Sequence, residues 1–183
     1  MNRYLKVVLL SAIIIFAGAK KLNAQNPVSI GLNIGGGSLS GNSPSQAGYS
    51  FSLFLESDFE LIPSVLPRLS FFYIQDFSAI LPGSTDPYFP FLKGFTLKGI
   101  TTQYFDNKMF LEEGVGALLL NDRTFSDTDT WNYGTALSFG GGFDLRDFNL
   151  KGFKLGIVAE YGITFNNSLA DYFTLSFQCH YLF

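Results

Sequence analysis

One cysteine, one histidine and one tryptophan occur in 183 residues. A single Cys179 excludes an internal disulfide, so this is no small disulfide scaffold. His180 follows it directly, and neighbours on a strand point to opposite faces, so the two do not combine into a metal or nucleophile site. Charged residues are only 15% of the chain. No Ser/His/Asp set suggests nucleophilic catalysis, and a non-enzymatic chain without a cofactor is expected. Gly35-Gly36-Gly37 lacks the following Lys and helix of a phosphate loop. Asp122, Asp127 and Asp129, with Asn121 and Ser126, lack the spacing of a calcium loop and read as a solvated acidic segment. Beyond the N-terminus there is no 3.6-residue apolar period, no internal repeat and no domain linker.

The N-terminus itself carries Arg3 and Lys6, then the apolar run VVLLSAIIIFAGA over residues 7–19, then Leu22-Asn23-Ala24. That is the layout of a secretory signal peptide over residues 1–24, with cleavage expected before Gln25. Lys20 and Lys21 keep an uncleaved anchor open as an alternative, and no Cys follows Ala24 to make a lipoprotein. Residues 25–183 have the length of one domain. All 15 Asp and Glu lie there, but only eight of the 12 Lys and Arg, giving a net charge of about −7. An acidic, exported chain is a poor nucleic-acid ligand, and none is expected as a partner. Aromatics make up 17%, with 21 Phe, which need an apolar place to sit.

Eight segments read as strands: residues 28–36, 49–58, 68–77, 91–105, 109–121, 133–145, 153–165 and 172–183. The seventh is the sharpest. Phe153, Leu155, Ile157, Ala159, Tyr161, Ile163 and Phe165 form one apolar face, and Lys154, Gly156, Val158, Glu160, Gly162 and Thr164 form the other. Many short strands spaced by turns give a barrel or a sandwich. The polar faces are built from Gly, Ser, Thr and isolated charges. They make better sense inside a narrow barrel, beside Phe54, Phe72 and Tyr104, with the bulky faces turned to lipid. The expected fold is therefore all-β, an eight-stranded antiparallel up-and-down transmembrane β-barrel. With the faces inverted it would be a soluble, lipocalin-like periplasmic binder.

Strand phase then places Glu56, Arg68, Lys98, Glu112, Asp144, Lys154 and Glu160 in the lumen. They would form a salt-bridge network filling an interior just wide enough for side chains, or a polar pathway. Glu113 falls on the apolar side, near the start of its strand. Connections 38–46, 78–90, 122–132 and 166–171 share the outer end. Their aromatics Tyr88, Phe89, Phe91, Phe125 and Trp131 are candidate contacts with a partner. Two girdles are expected, Phe105, Phe110, Phe153, Tyr181 and Phe183 at one rim and Tyr49, Phe77, Trp131, Tyr133, Phe165 and Tyr172 at the other.

The chain closes on YFTLSFQCHYLF. Leu175, Phe177, Tyr181 and the final Phe183, with Cys179 between, resemble the assembly signal of bacterial outer-membrane barrels. Residues 25–183 as a whole resemble the small eight-stranded barrels of the OmpA/OmpX type, and the Bacteroidetes-style PorT-like outer-membrane β-barrel domain. The resemblance implies a monomer in the Gram-negative outer membrane, with membrane lipid and lipopolysaccharide as surroundings and the barrel-assembly machinery as partner during insertion. It implies a structural or loop-mediated interaction role. The alternatives are passage of a small compound through a lateral opening or narrow porin-like channel, or an accessory part in secretion or motility.

Overall fold

The computed structural model describes residues 28–81, 87–105, 108–146 and 151–183. The expected leader and part of three connections, residues 82–86, 106–107 and 147–150, lie outside them. Eight strands follow in chain order: β1 (Val28–Ser40), β2 (Gln46–Ser57), β3 (Leu66–Asp76), β4 (Phe91–Tyr104), β5 (Met109–Arg123), β6 (Thr130–Asp144), β7 (Gly152–Thr164) and β8 (Asp171–Leu182). Each pairs antiparallel with its sequence neighbour, and β1 with β8, so the sheet is a closed barrel. Closure leaves no strand edge unpaired.

The register fixes the barrel's geometry. From Ser29, ladder partners run through Glu56, Arg68, Lys98, Gly116, Ala136, Gly162 and Tyr172 back to β1 at Leu39. One circuit thus climbs ten residues along β1, a stagger that tilts the strands by about 40–45°. Eight strands at this tilt enclose a lumen that side chains alone can fill.

The faces are those the alternation predicts. Ile34, Val115, Ile157 and Phe177 point outward and are more than half exposed, while Ser70, Thr96, Ser176 and Gln178 point inward and are buried. Phe95 and Leu97 lie outside and Thr96 and Lys98 inside, which gives the fourth strand its phase. Strands are longer than expected at the outer end. β1 continues through the three glycines to Ser40, and β5 and β6 extend to Arg123 and Thr130, so the loops shorten to 41–45 and 124–129. A 3-10 turn, Phe77–Ala79, caps the third connection, with the Asp76 carboxylate accepting from Ser78 N.

Two girdle assignments are corrected. Phe110 and Tyr172 are buried in the lumen, not set at the rims. Phe110 lies beneath the Lys154 ammonium, 5.2 Å from its ring centre. Tyr172 lies flat across Gly162, where a Cβ would come within 2.2 Å of its ring. Both occupy the inward phase of their strands, and burial of a ring against glycine outweighs exposure at an interface. Tyr104 also has inward phase, but it sits at the inner mouth, half exposed, with its hydroxyl accepting from Arg146 Nη2 at 2.9 Å.

Candidate functional site

The lumen has two layers of opposite chemistry. Toward the inner end, Arg68 is the hub. Its Nε donates to Glu56 Oε2 at 2.7 Å and its Nη2 to Glu112 Oε2 at 2.8 Å. The guanidinium carbon lies 4.3 Å from the centre of the Phe54 ring. Lys154 approaches the other oxygen of Glu112 at 3.8 Å. His180 joins from β8, its Nε2 2.7 Å from Ser29 Oγ and 4.0 Å from Glu56, with its ring against the edge of Phe54. Gly31 makes this packing possible: a Cβ there would fall 1.9 Å from Phe54 Cζ.

Higher in the lumen, Lys98 pairs with Glu160, and the Tyr172 hydroxyl donates to the other Glu160 oxygen at 2.7 Å. At the inner mouth Arg146 holds Asp144, from Nε at 2.9 Å and Nη2 at 2.5 Å. The seven inward charges expected from phase are thus distributed among three groups rather than one. Glu56, Arg68, Glu112 and Lys154 meet, Lys98 and Glu160 form a separate pair, and Asp144 turns to Arg146. Within these groups four carboxylates face four cations. Pairing of this kind is what buried charges require.

Above these charges lies an apolar layer. Leu39, Phe72, Ile74, Leu92, Leu118, Leu120, Ala136, Ala170 and Tyr172 form one buried cluster under the outer loops. A cavity of about 20 Å³, lined by Asn33, Ser50, Glu160 and Ser176 among others, separates the layers and has room for roughly one water.

At the outer end the loops are tied to one another and to strand tips. Ser40 Oγ donates to Asp171 at 2.8 Å, Asn132 Nδ2 to Ser168 at 3.2 Å, and Asn166 accepts from Tyr133 N at 2.8 Å. Asp122 turns inward and accepts from both the N–H and hydroxyl of Thr124, whereas Asp129 pairs with Asn121 and Arg123 and Asp127 is exposed. The three acids therefore diverge, and among the described residues no three metal-binding side chains converge. Cys179 lies on the outward face and His180 on the inward one.

The candidate contact aromatics divide. Phe125 and Trp131 are exposed, but Trp131 belongs to β6 and not to a loop. Phe91 is likewise the first residue of β4, packed 5.5 Å from Tyr73. Tyr88 is pinned by its hydroxyl to Arg123 O at 2.6 Å, and Phe89 is half-buried. In the C-terminal strand Leu175, Phe177 and Phe183 are exposed on the outer face, and Tyr181 packs between Phe153 and Phe183.

Several lumen residues escape a reading by strand pattern. Arg146 lies past the end of β6, yet two positions from Asp144 and hence in its phase. Tyr172 shares the phase of Thr174 and Ser176, and that parity was the available signal. The apolar layer gave a weaker one, because Leu118-Leu119-Leu120 and Phe71-Phe72 break the alternation in ways that strand period alone does not resolve.

No family model matches the sequence, nor does any curated protein. Solved structures do match. Neisserial surface protein A superposes with a TM-score of 0.68 at 10% identity, over 85% of this chain and 97% of that one. Ail, the attachment invasion locus protein of Yersinia pestis, superposes at 0.54 and 14% identity, over 86% and 99%. The chain has the fold of the small outer-membrane barrels. The same Ail barrel in complex with the heparin analogue sucrose octasulfate matches at 0.54 and 13% identity. At these identities the likeness is one of fold.

Proposed function

We propose that this chain is a bacterial outer-membrane barrel whose lumen is closed to solute flow, with a structural and interaction role carried at its outer end. The observation that carries this reading is the stacking of an apolar layer on a set of buried ion pairs. The outward face supports placement in lipid. Apart from Glu113 it is apolar between two aromatic rims, with Phe105, Phe153, Tyr181 and Phe183 at the inner one and Tyr49, Phe77, Trp131, Tyr133 and Phe165 at the outer.

On this reading residues 1–24 are a leader removed before Gln25. Leu175, Phe177, Tyr181 and Phe183 are the face that the assembly machinery reads, and the folded barrel is a monomer. Phe125 and Trp131 are the aromatics free to touch a partner. The unbroken hydrogen-bonded seam between β1 and β8 argues against a lateral opening. No feature among the described residues favours the part in secretion or motility that the PorT-like resemblance implies.

Two measurements test the proposal. The barrel in an outer-membrane fraction should migrate differently in SDS gels before and after boiling. In planar bilayers the purified protein should give no steady single-channel conductance. Regular channel openings would overturn the closed-lumen reading, and a soluble periplasmic protein with no mobility shift would overturn the membrane one.

A further inference from the structure

Among the described residues, four charged side chains belong to outward positions on the strands: Lys93, Glu113, Arg123 and Asp171. Lys93 and Arg123 are the two cations at the outer end, and they lie on the same wall. Arg123 is the ladder partner of Phe91, and Lys93 is two residues further along β4 on the same face. Both flank one ring, with Lys93 Nζ 5.7 Å and Arg123 Cζ 5.8 Å from the centre of Phe91. Lys93 has no ion-pair partner among the described residues, and Arg123 Nε is buried without an acceptor. The carboxylate beside them, Asp129, reaches Arg123 Nη1 at 3.2 Å and is itself mostly exposed. Directly below, on the same outward face, the Phe71 and Phe95 rings pack with centres 5.4 Å apart and planes tilted by 56°, and Leu119 continues the apolar wall.

We propose that this rim binds the anionic phosphate of a membrane lipid, with Lys93 and Arg123 on the phosphate and the acyl chains descending over Phe95, Phe71 and Leu119. The inference rests on the outer-membrane reading above and gives it a ligand. Position selects the occupant. The cations face outward at the upper edge of a wall that is apolar beneath, so a lipid satisfies both halves of the surface and a free anion only one. Cations at this depth attract anionic headgroups, and desolvation against the Phe91 ring strengthens them.

The chain carries its own reporter. Trp131 is the sole tryptophan, and it lies in one ladder row with Asn121 and Lys93. Full-length processed protein is refolded into phosphatidylcholine vesicles doped with either brominated phosphatidic acid or brominated phosphatidylcholine, and Trp131 quenching is followed against mole fraction. Half-quenching is expected at an about fivefold lower fraction of the anionic lipid. The double variant Lys93→Gln/Arg123→Gln should abolish the preference. Arg123→Lys, which keeps the charge, should retain it, and Lys108→Gln at the inner end should leave it unchanged. Asp129→Asn, which removes the competing carboxylate, should increase it, an effect a merely structural Arg123 would not produce. Gel mobility of the same samples reports insertion separately. A barrel that shifts on boiling but shows equal quenching by both lipids overturns the site. A protein that neither shifts nor is quenched by either lipid overturns the membrane reading instead. Displacement of the anionic lipid by millimolar inorganic phosphate would overturn the assignment to a lipid.

Discussion

Arg68 and Glu112 lie 44 residues apart in sequence and on strands that do not pair, yet the guanidinium crosses the lumen to the carboxylate at 2.8 Å. Both side chains are almost wholly withdrawn from solvent. The contact makes Arg68 the shared counter-charge of two acids, with Lys154 only a distant supplement to Glu112.

Arg68→Met should therefore be severe. It leaves Glu56 and Glu112 facing each other without their main cation, and breaking a buried pair on one side costs about 3–5 kcal/mol. Urea unfolding of the barrel in vesicles measures this. The triple variant with Glu56→Gln and Glu112→Gln should recover most of the loss, and a triple variant as unstable as the single one would mean that Arg68 acts by packing on Phe54.

Gly31→Ala should be destabilising although it adds one methyl group, because that carbon would overlap the Phe54 ring. Overpacking of this kind costs about 1–3 kcal/mol. Pairing it with Phe54→Leu should restore part of the stability, since the shorter side chain vacates the space. Additive losses in the double variant would show that the two residues are not coupled.

Glu113 stands four residues into β5, outward between Thr101 on β4 and Phe139 on β6. It is the one carboxylate on the outer wall away from the rims among the described residues. Its removal by Glu113→Leu should stabilise the barrel in lipid by about 1–2 kcal/mol, and Glu113→Lys should destabilise it. If Glu113→Leu instead promotes aggregation of a water-soluble protein, this wall faces water.

Cys179 offers a direct check of which face meets lipid. It should react with a membrane-permeant, lipid-soluble maleimide in intact vesicles and resist a charged, impermeant one, and unfolding in urea should abolish the difference. Equal labelling of the folded barrel by both reagents would contradict an outward Cys179.

The Asn121 side-chain amide, with Arg123 beside it, holds the Asp129 carboxyl below the usual carboxylate value of 3.8. A lowered folded-state pKa contributes stability that is present above the unfolded value and lost as pH falls through the folded one. The tie between the 124–129 loop and the wall should thus persist through the ordinary carboxylate range and fail only at more acid pH. An NMR titration of the Asp129 carboxyl should give a midpoint under 3.8, and Asn121→Ala should move it upward.

The architecture was readable in the sequence because the strand period is local. Side chains alternate whatever the rest of the chain does, so Phe153 to Phe165 declare an outward face and Lys154 and Glu160 an inward one. The same parity assigned all seven expected lumen charges to the interior. It did not say which acid meets which base. Parity also points Phe110 and Tyr172 inward, and it was their place near strand ends, where aromatics gather, that set them at the rims.

Those outcomes depend on closure. The ten-residue climb around the barrel sets Arg68 opposite Glu112, and brings Tyr172 of the last strand beside Leu39 of the first. It also stacks the inward leucines of β1, β4 and β5 into one apolar layer. Stagger is a property of the whole ring and of eight registers at once, so no window of sequence contains it. The alternation along each strand determined that this chain builds a wall with one apolar and one polar face. Only the tertiary structure decided how the polar side is filled, because only there do the inward side chains find which neighbours they have.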